Sequence, residues 1–193
     1  MKHKADGTLC ARLTAQGYEQ RPGEHYEETG VSSPVVNEAS IFLMLIIAII
    51  ARWYLDLNDV QGAFLEGLFS HAERLYMHVP KGHEKFYPMN VILLPLKTIH
   101  GLKQAAFEYW RALLKAITAI GLLQNKADPC IYYKWTNKGL MVWSSWVDDL
   151  LSGGDKVDVM KGRTTLKQYF DLDEVGKLQE YVGCKVEYNK EEG

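Results

Sequence analysis

The sequence predicts an α+β fold built on a split βαβ, ferredoxin-like antiparallel sheet, and three observations lead to that class. A strand-forming segment at 54–60 is followed by the clearest amphipathic helix of the chain, whose apolar residues recur every three to four positions before Gly121. Two further strands flank a Thr-Asn-Lys-Gly segment at 136–139, which is a hairpin signal. A second amphipathic helix at about 156–170 and a final strand at about 180–188 complete an order typical of a split βαβ unit.

The elements before this unit are predicted from shorter patterns. Residues 1–36 are polar and rich in Gly and Glu, and a brief alternation at 10–15 indicates one or two short strands before an extended loop. An Asn-Glu-Ala-Ser segment at 37–40 offers N-cap candidates for a helix to about Trp53. That helix is apolar on all sides and is expected to be buried, although so many Ile residues would also suit a strand. Short strands are further predicted around 74–77 and 91–94.

Composition describes a globular chain without a strong electrostatic preference. The 193 residues are 47% hydrophobic and 24% charged, which suits one sizeable domain with a real core. A formal net charge of -2 gives no global case for nucleic-acid binding, so such binding would depend on local basic clusters. These clusters are Lys97 with Lys103, and Lys161 with Arg163 and Lys167.

Targeting signals are not evident in the sequence. The 3 cysteines show no zinc-site spacing, so a reduced intracellular protein is expected. The first residues lack the apolar core of a signal peptide, and the longest apolar run, at 41–51, is too short to span a bilayer. We therefore expect a soluble chain with no membrane partner.

Two adjacent aspartates, Asp148 and Asp149, stand among strand-forming residues and are the main chemical signal. Side chains alternate along a strand, so both carboxylates cannot point away from a core, and unpaired charges are costly to bury. A polar β-turn explains the pair by itself. The alternative is a divalent cation, because the predicted sheet can bring the strand of Asp59 beside the pair. Oxygen ligands without Cys or His suit Mg²⁺ or Mn²⁺, and two such ions support phosphoryl transfer.

Ordered sequence blocks carry a resemblance to a known family. The strongest are Asp59–Gly67 (DVQGAFLEG), Gly101–Ala105 (GLKQA), Lys126–Pro129 (KADP) and Val147–Leu151 (VDDLL). Weaker blocks lie at 11–13, 17–20, 26–29, 33–36, 176–178 and 181–183. Each block alone is weak, but in this order they resemble the reverse transcriptase of Ty1/copia-type LTR retrotransposons over nearly the whole chain.

The resemblance implies a fingers-and-palm fragment of an RNA-directed DNA polymerase. Residues 1–193 would form a single domain, without thumb or RNase H, and its parts would be fingers at about 1–53 and 68–100, and palm at about 54–67 and 101–193. Two Mg²⁺ or Mn²⁺ ions are implied at the catalytic Asp59, Asp148 and Asp149, with Val60 as a further metal contact. Strand alternation favours Asp148 over Asp149 for sharing an ion with Asp59.

The same resemblance implies residues that bind the incoming dNTP. Phe64 matches a position beneath the sugar, where its ring would collide with a ribose 2′-hydroxyl, although a core phenylalanine is the alternative. Arg12 resembles a basic residue that holds the triphosphate, a task that suits a bidentate guanidinium. His100 and Gly101 belong to the loop that leads into the protein helix expected to pack beneath the nascent base pair.

An RNA or DNA template with its primer is the other implied partner. Lys103 and Gln104 match template-contacting positions, with a solvated helix lysine as the alternative for Lys103. Val182 and Gly183 resemble the hairpin that holds the primer end, with a β-bulge as the alternative for the glycine. The remaining Pol regions, including RNase H and integrase, are not in this sequence. Reverse transcription in this family is expected in cytoplasmic virus-like particles.

Several residues depart from the family pattern. Trp146 stands where tyrosine is usual, and Asn58 replaces an apolar residue before Asp59. Ser144 and Ser145 put a hydroxyl on a strand face that is expected to be buried. These departures support a second hypothesis, namely a catalytically inactive remnant that keeps the palm fold and some affinity for nucleic acid.

Overall fold

A computed structural model describes residues 2–3, 9–10, 12–69, 75–176, 180–181 and 184–185. In chain order the strands are β1 (Lys2–His3), β2 (Leu9–Cys10), β3 (Tyr54–Val60), β4 (Met77–His78), β5 (Ile92–Leu93), β6 (Leu123–Gln124), β7 (Ile131–Thr136), β8 (Gly139–Trp146), β9 (Asp149–Gly154), β10 (Leu172–Gly176), β11 (Glu180–Tyr181) and β12 (Cys184–Lys185). The α-helices are α1 (Glu38–Ile50), α2 (Ala105–Ala119) and α3 (Lys156–Leu166). Single 3₁₀ turns lie at Gly17–Glu19, Glu28–Gly30, Ala63–Leu65 and Glu84–Phe86.

The chain divides into two compact units. Unit 1 comprises Met1–Ser33 and Phe64–Tyr109, and unit 2 comprises Pro34–Ala63 and Trp110–Gly193. The fingers and palm boundaries inferred from the sequence stay a prediction. Among the described residues, no helix is long and apolar enough to cross a membrane.

Unit 2 is built on an antiparallel sheet. Within its described residues six strands form this sheet in the order β10-β3-β9-β8-β7-β6. The chain passes from β3 through α2 to the β8–β9 hairpin and then through α3 to β10. The predicted α+β class is confirmed, and so is the pairing of β3 with the strand that follows Asp148. The predicted hairpin at 136–139 joins β7 to β8.

Strand β10 was not predicted. The sequence suggested a helix to about residue 170 and then a strand at 180–188, whereas α3 ends at Leu166 and β10 follows at Leu172–Gly176. With Asp173 and Glu174 adjacent, this segment has no apolar–polar alternation. It forms a strand because its backbone pairs with the edge of β3.

Helix α1 begins at a fixed point because its cap is tied to the rest of unit 2. The Asn37 side chain accepts a hydrogen bond from the Ala39 amide (2.9 Å), as an N-cap residue does. The Asn37 amide in turn donates to the Asp128 carboxylate (2.9 Å), and the other oxygen of that carboxylate accepts from the Cys130 amide (3.0 Å). One buried carboxylate therefore holds both the start of α1 and the entry to β7.

One side of α1 covers the sheet. Ile41 and Met44 pack into a core cluster with Leu57 of β3 and Leu151 of β9. The expectation that the whole helix is buried is wrong, because several apolar residues on its outer side are exposed. A helix packed on a sheet buries only the face that contacts the sheet.

The opposite face of the sheet contacts α3. Asp155 caps this helix, since its carboxylate accepts from the amides of Val157 (2.9 Å) and Asp158 (3.3 Å). Arg163 of α3 forms an ion pair with Asp56 of β3 (3.3 Å), and both side chains are largely buried. Close packing of such charged groups inside a sheet–helix interface fixes the position of α3 against β3.

Unit 1 has a small apolar core of its own. Leu75, Leu102 and Ala105 are buried there, and Phe64 and Ile99 are among the partly buried residues that pack against them. Strands β4 and β5 pair with each other as a separate two-stranded sheet. The short strand predicted at 91–94 corresponds to the shorter β5, whereas β4 overlaps the strand predicted at 74–77 only at Met77.

Candidate active site

The paired aspartates lie at the tip of the β8–β9 hairpin. Val147 and Asp148 form a two-residue turn, and Asp149 is the first residue of β9, paired with Trp146. The polar turn and the candidate site are therefore the same structure. The Val60 amide donates to the Asp148 carbonyl oxygen (2.9 Å), which joins the turn to the end of β3.

Val147 has an unusual backbone conformation in this turn. Its φ is 52°, a value that two-residue hairpin turns require but that normally falls on glycine or asparagine. A β-branched side chain is strained there, at a cost of order 1–3 kcal/mol. Strain of this kind is commonly found at functional sites.

Asp59 and Asp149 are opposed across β3 and β9. Their Cα atoms are register partners, and directly opposed residues of an antiparallel pair point to the same face. The register thus places Asp149, and not Asp148, directly opposite Asp59, while the sharing of an ion between Asp148 and Asp59 stays a prediction. Alternation along a strand indicates which residues share a face, but it cannot show which residue of a turn is the last to pair.

The charges of the aspartates influence one another. Burial raises the pKa of the Asp149 carboxyl above its ordinary value, and the charges of Asp148 and Asp59 raise it further. Asp149 is half-buried and Asp148 is exposed. The hairpin tip is thus a region of accumulated negative charge that a cation would relieve.

Asp173 is an additional carboxylate that sequence reasoning missed. It is the register partner of Asp59 on the other neighbouring strand, β10. Asp173, Asp59 and Asp149 consequently form a row on one face across three adjacent strands. The residue was missed because β10 itself was not predicted.

The hairpin tip carries carboxylate ligands of the kind that a hard cation binds, but the side chains are not arranged around one. Within the described ranges, no group of three or more His, Cys, Asp or Glu side chains is positioned to hold a metal ion. Carboxylate oxygens are the preferred ligands of Mg²⁺ and Mn²⁺. Asp59, Asp148 and Asp149 thus supply ligands of the type that these ions take, although the side-chain arrangement of the described residues does not form a site.

Two buried serines support the strand that leads to the turn. The Ser144 hydroxyl is hydrogen-bonded to the hydroxyl of Tyr181 (3.0 Å), and the Ser145 hydroxyl lies 3.5 Å from that of Tyr132. Burial raises the pKa of Tyr132 to about 12 and also raises the pKa of Tyr181, to which the charge of Asp149 contributes. The departure from an apolar strand is therefore compensated by tyrosine hydroxyls.

The residues predicted to bind dNTP lie partly in the core of unit 1. The Phe64 ring packs edge-on against His100, with centroids 5.6 Å apart and planes at 85°. Phe64 also contacts the apolar core of the unit, as its alternative interpretation expected. Gly101 has a φ of 91°, and a Cβ there would overlap the carbonyl oxygen of Ala15. Arg12 is exposed.

The predicted template contacts differ in accessibility. Lys103 is exposed, and its ammonium group contacts the Tyr26 hydroxyl (3.1 Å) and lies 5.1 Å from the centre of the Tyr26 ring. Gln104 is only 1% exposed; it accepts from Gln20 (2.9 Å) and donates to the His25 carbonyl (3.3 Å). These bonds give Gln104 a packing role, and its template contact stays a prediction. The predicted primer-end residues, Val182 and Gly183, lie outside the described residues.

Comparison with known proteins decides the family. A family model described as reverse transcriptase (RNA-dependent DNA polymerase) matches residues 1–192. The chain belongs to this reverse transcriptase family. The match covers both units, and the resemblance inferred from the ordered sequence blocks is confirmed.

Curated relatives of this reverse transcriptase domain are plant transposon proteins. The chain is 31% identical over 178 residues to the retrovirus-related Pol polyprotein from transposon TNT 1-94 of Nicotiana tabacum, with 91% of this chain covered. It is 31% and 33% identical to the corresponding polyproteins from transposons RE1 and RE2 of Arabidopsis thaliana, with 95% of this chain covered in each case. The chain spans 13% of the length of each relative. No solved structure shows a significant match to it.

Proposed function

We propose that this reverse transcriptase domain is the fingers-and-palm portion of an RNA-directed DNA polymerase. It would transfer a nucleotide from a dNTP to a primer 3′-hydroxyl. The observation that carries the proposal is the register of Asp59 with Asp149, beside the turn that holds Asp148, in a member of this family. The antiparallel sheet of unit 2 would be the palm.

Asp59, Asp148 and Asp149 would hold two Mg²⁺ or Mn²⁺ ions. The side chain of Val60 is buried, so only its backbone carbonyl would serve as a further ligand. Two bound ions supply activation of the attacking hydroxyl and stabilisation of the departing phosphate oxygen. The three carboxylates must be ionised for this task, and the raised pKa of Asp149 means that acid readily protonates this residue.

The residues of unit 1 would select and position the nucleotide. The edge-to-face contact with His100 fixes the orientation of the Phe64 ring, which would then exclude a ribose 2′-hydroxyl. Arg12 would contact the triphosphate, and Lys103 a template or primer phosphate. The other Pol regions of the polyprotein, including RNase H and integrase, would complete reverse transcription in cytoplasmic particles.

Primer extension tests the proposal. The 193-residue chain is assayed on poly(rA)/oligo(dT) with Mg²⁺ or Mn²⁺, beside Asp148→Asn and Asp149→Asn. Asp173→Asn is the matched control, because it removes a like charge from the same face one strand further from the turn. We expect extension by the wild type and the control and none by the other two variants. Extension no greater than that of Asp148→Asn would refute polymerase activity for this chain.

A catalytically inactive remnant is the second candidate. It is favoured by the present side-chain arrangement, in which the described carboxylates do not form a metal site. Fluorescence anisotropy with a labelled template–primer separates the two candidates. Equal binding by wild type and Asp148→Asn, without extension by either, would establish the remnant.

A further inference from the structure

Helix α1 has a second apolar face that points away from the sheet. Its inner residues Ile41, Met44 and Ala48 are buried. The residues of the outer face are large and exposed: Phe42 (49%), Leu43 (58%), Ile46 (53%), Ile49 (50%) and Ile50 (78%). A contiguous exposed apolar patch of this kind marks an interaction surface in a globular protein.

The pattern of this outer face is symmetric about its middle residue. Phe42 and Ile50 are each four positions from Ile46, and Leu43 and Ile49 are each three positions from it. These spacings place all five side chains on one stripe of the helix. In an antiparallel pair with its two-fold axis at Ile46, the apolar positions of one stripe therefore meet apolar positions of the other.

We infer that the outer face of α1 binds the same face of a second copy of this chain, antiparallel about a two-fold axis at Ile46. In an isologous contact, a residue i of one copy that meets residue j of the other implies that j of the first copy meets i of the second. Phe42 would oppose Ile50 of the second copy, Leu43 would oppose Ile49, and Ile46 would meet itself. The pairing buries the apolar stripe of both copies at once.

Charges at the two ends of α1 agree with the antiparallel direction. Glu38 is exposed at the first turn, and Arg52 is exposed just beyond the last. Antiparallel pairing brings Glu38 of one copy toward Arg52 of the other, whereas parallel pairing brings like charges together. Exposed ion pairs contribute only about 0–1 kcal/mol, so these charges select the orientation while the apolar stripe provides the affinity.

Sedimentation equilibrium of the 193-residue chain tests the inference. The wild type is expected to dimerise, and Ile46→Glu is expected to weaken the dimer at least tenfold because two carboxylates would meet on the axis. Val157→Glu is the matched control, since Val157 is an exposed apolar residue near the start of another helix of unit 2. Circular dichroism verifies that each variant is folded. A monomeric wild type, or equal weakening by both variants, would overturn the inference.

Cysteine cross-linking tests the direction of pairing. Cys10 and Cys184 are first replaced by serine, while Cys130 is buried and can remain. Under mild oxidation Ile46→Cys should form a disulfide dimer with itself. Phe42→Cys should cross-link only when mixed with Ile50→Cys, because bridged Cα atoms must lie within about 7 Å. Self-cross-linking of Phe42→Cys would indicate parallel pairing and contradict the proposed antiparallel dimer. Neither test depends on polymerase activity.

Discussion

Asp59 and Asp149 face each other across neighbouring antiparallel strands, although α2 and the β7–β8 hairpin separate them in sequence. The backbone hydrogen bonds of β3 and β9 hold this pair in register, so the proximity of the two carboxylates is enforced by the sheet. Partly buried like charges oppose folding unless a proton or a cation intervenes.

Asp149→Asn should raise thermal stability at neutral pH. Because the pKa of Asp149 is raised in the folded state, its ionisation lowers the free energy of unfolding as pH rises through the folded pKa. The neutral amide avoids that loss. The gain in melting temperature should therefore be present at pH 7 and vanish below the ordinary pKa of an aspartate. Calorimetry across this pH range measures the gain at pH 7 and its loss at low pH. A variant less stable than wild type at pH 7 would contradict the prediction.

Mg²⁺ should stabilise the wild type more than Asp149→Asn. A ligand that binds only the folded state raises its stability in proportion to the logarithm of its concentration above the dissociation constant. The test is a melting-temperature titration with MgCl₂, and KCl at equal ionic strength controls for screening. Equal Mg²⁺ responses in wild type and variant would argue against a role of Asp149 in cation binding.

Ser144→Ala and Tyr181→Phe should each lower stability by roughly 1–3 kcal/mol, because each leaves the other buried hydroxyl without its bond. The double variant should lose less than the sum of the two, since it leaves no orphan group. Urea unfolding of the four proteins in this cycle gives the coupling free energy. Thr118→Ala, at an exposed helix position, should change stability by less than about 0.5 kcal/mol. Strict additivity of the two single changes would indicate that their hydrogen bond is not formed.

Val147→Gly should stabilise the protein by up to about 1 kcal/mol. Glycine accepts a positive φ without strain. The strain energy that is relieved exceeds the extra entropic cost of ordering a glycine on folding. Val147→Ile retains the branched Cβ and should give no gain. Chemical unfolding measures both variants, and a destabilised Val147→Gly would show that the turn is not strained.

Gly101→Ala should destabilise the protein more than Gly82→Ala. Both glycines have a positive φ, at 91° and 87°, so the conformational cost is matched. At Gly101 a Cβ overlaps the Ala15 carbonyl, while around Gly82 no atom lies within 4 Å of such a Cβ. The difference in unfolding free energy isolates the steric cost, expected at roughly 1–3 kcal/mol by analogy with overpacked cores. Equal effects would mean that the contact relaxes freely.

Short sequence patterns correctly predicted the elements whose formation depends on neighbouring residues in the chain. Strand β3 has the bounds Tyr54–Val60 that its pattern indicated, and the turn signal before Gly139 correctly located a hairpin. Strand β10 and the register of Asp149 could not be read in this way, because both depend on pairing between distant segments. The ordered motifs identified the aspartates, but only the sheet shows that Asp173 continues their row.

The single carboxylate of Asp128 has a consequence for how the polypeptide acquires its structure. Its bond to the Asn37 amide joins positions 91 residues apart. During synthesis α1 would therefore leave the ribosome well before Asp128, whose carboxylate anchors the start of this helix. Until Asp128 is synthesised, the apolar residues of α1 would be exposed to solvent. Contacts of such long range slow folding and favour association of incomplete chains. Replacing Asp128 should consequently reduce the yield of refolded protein more than a substitution near the β8–β9 hairpin that lowers the free energy of unfolding by the same amount.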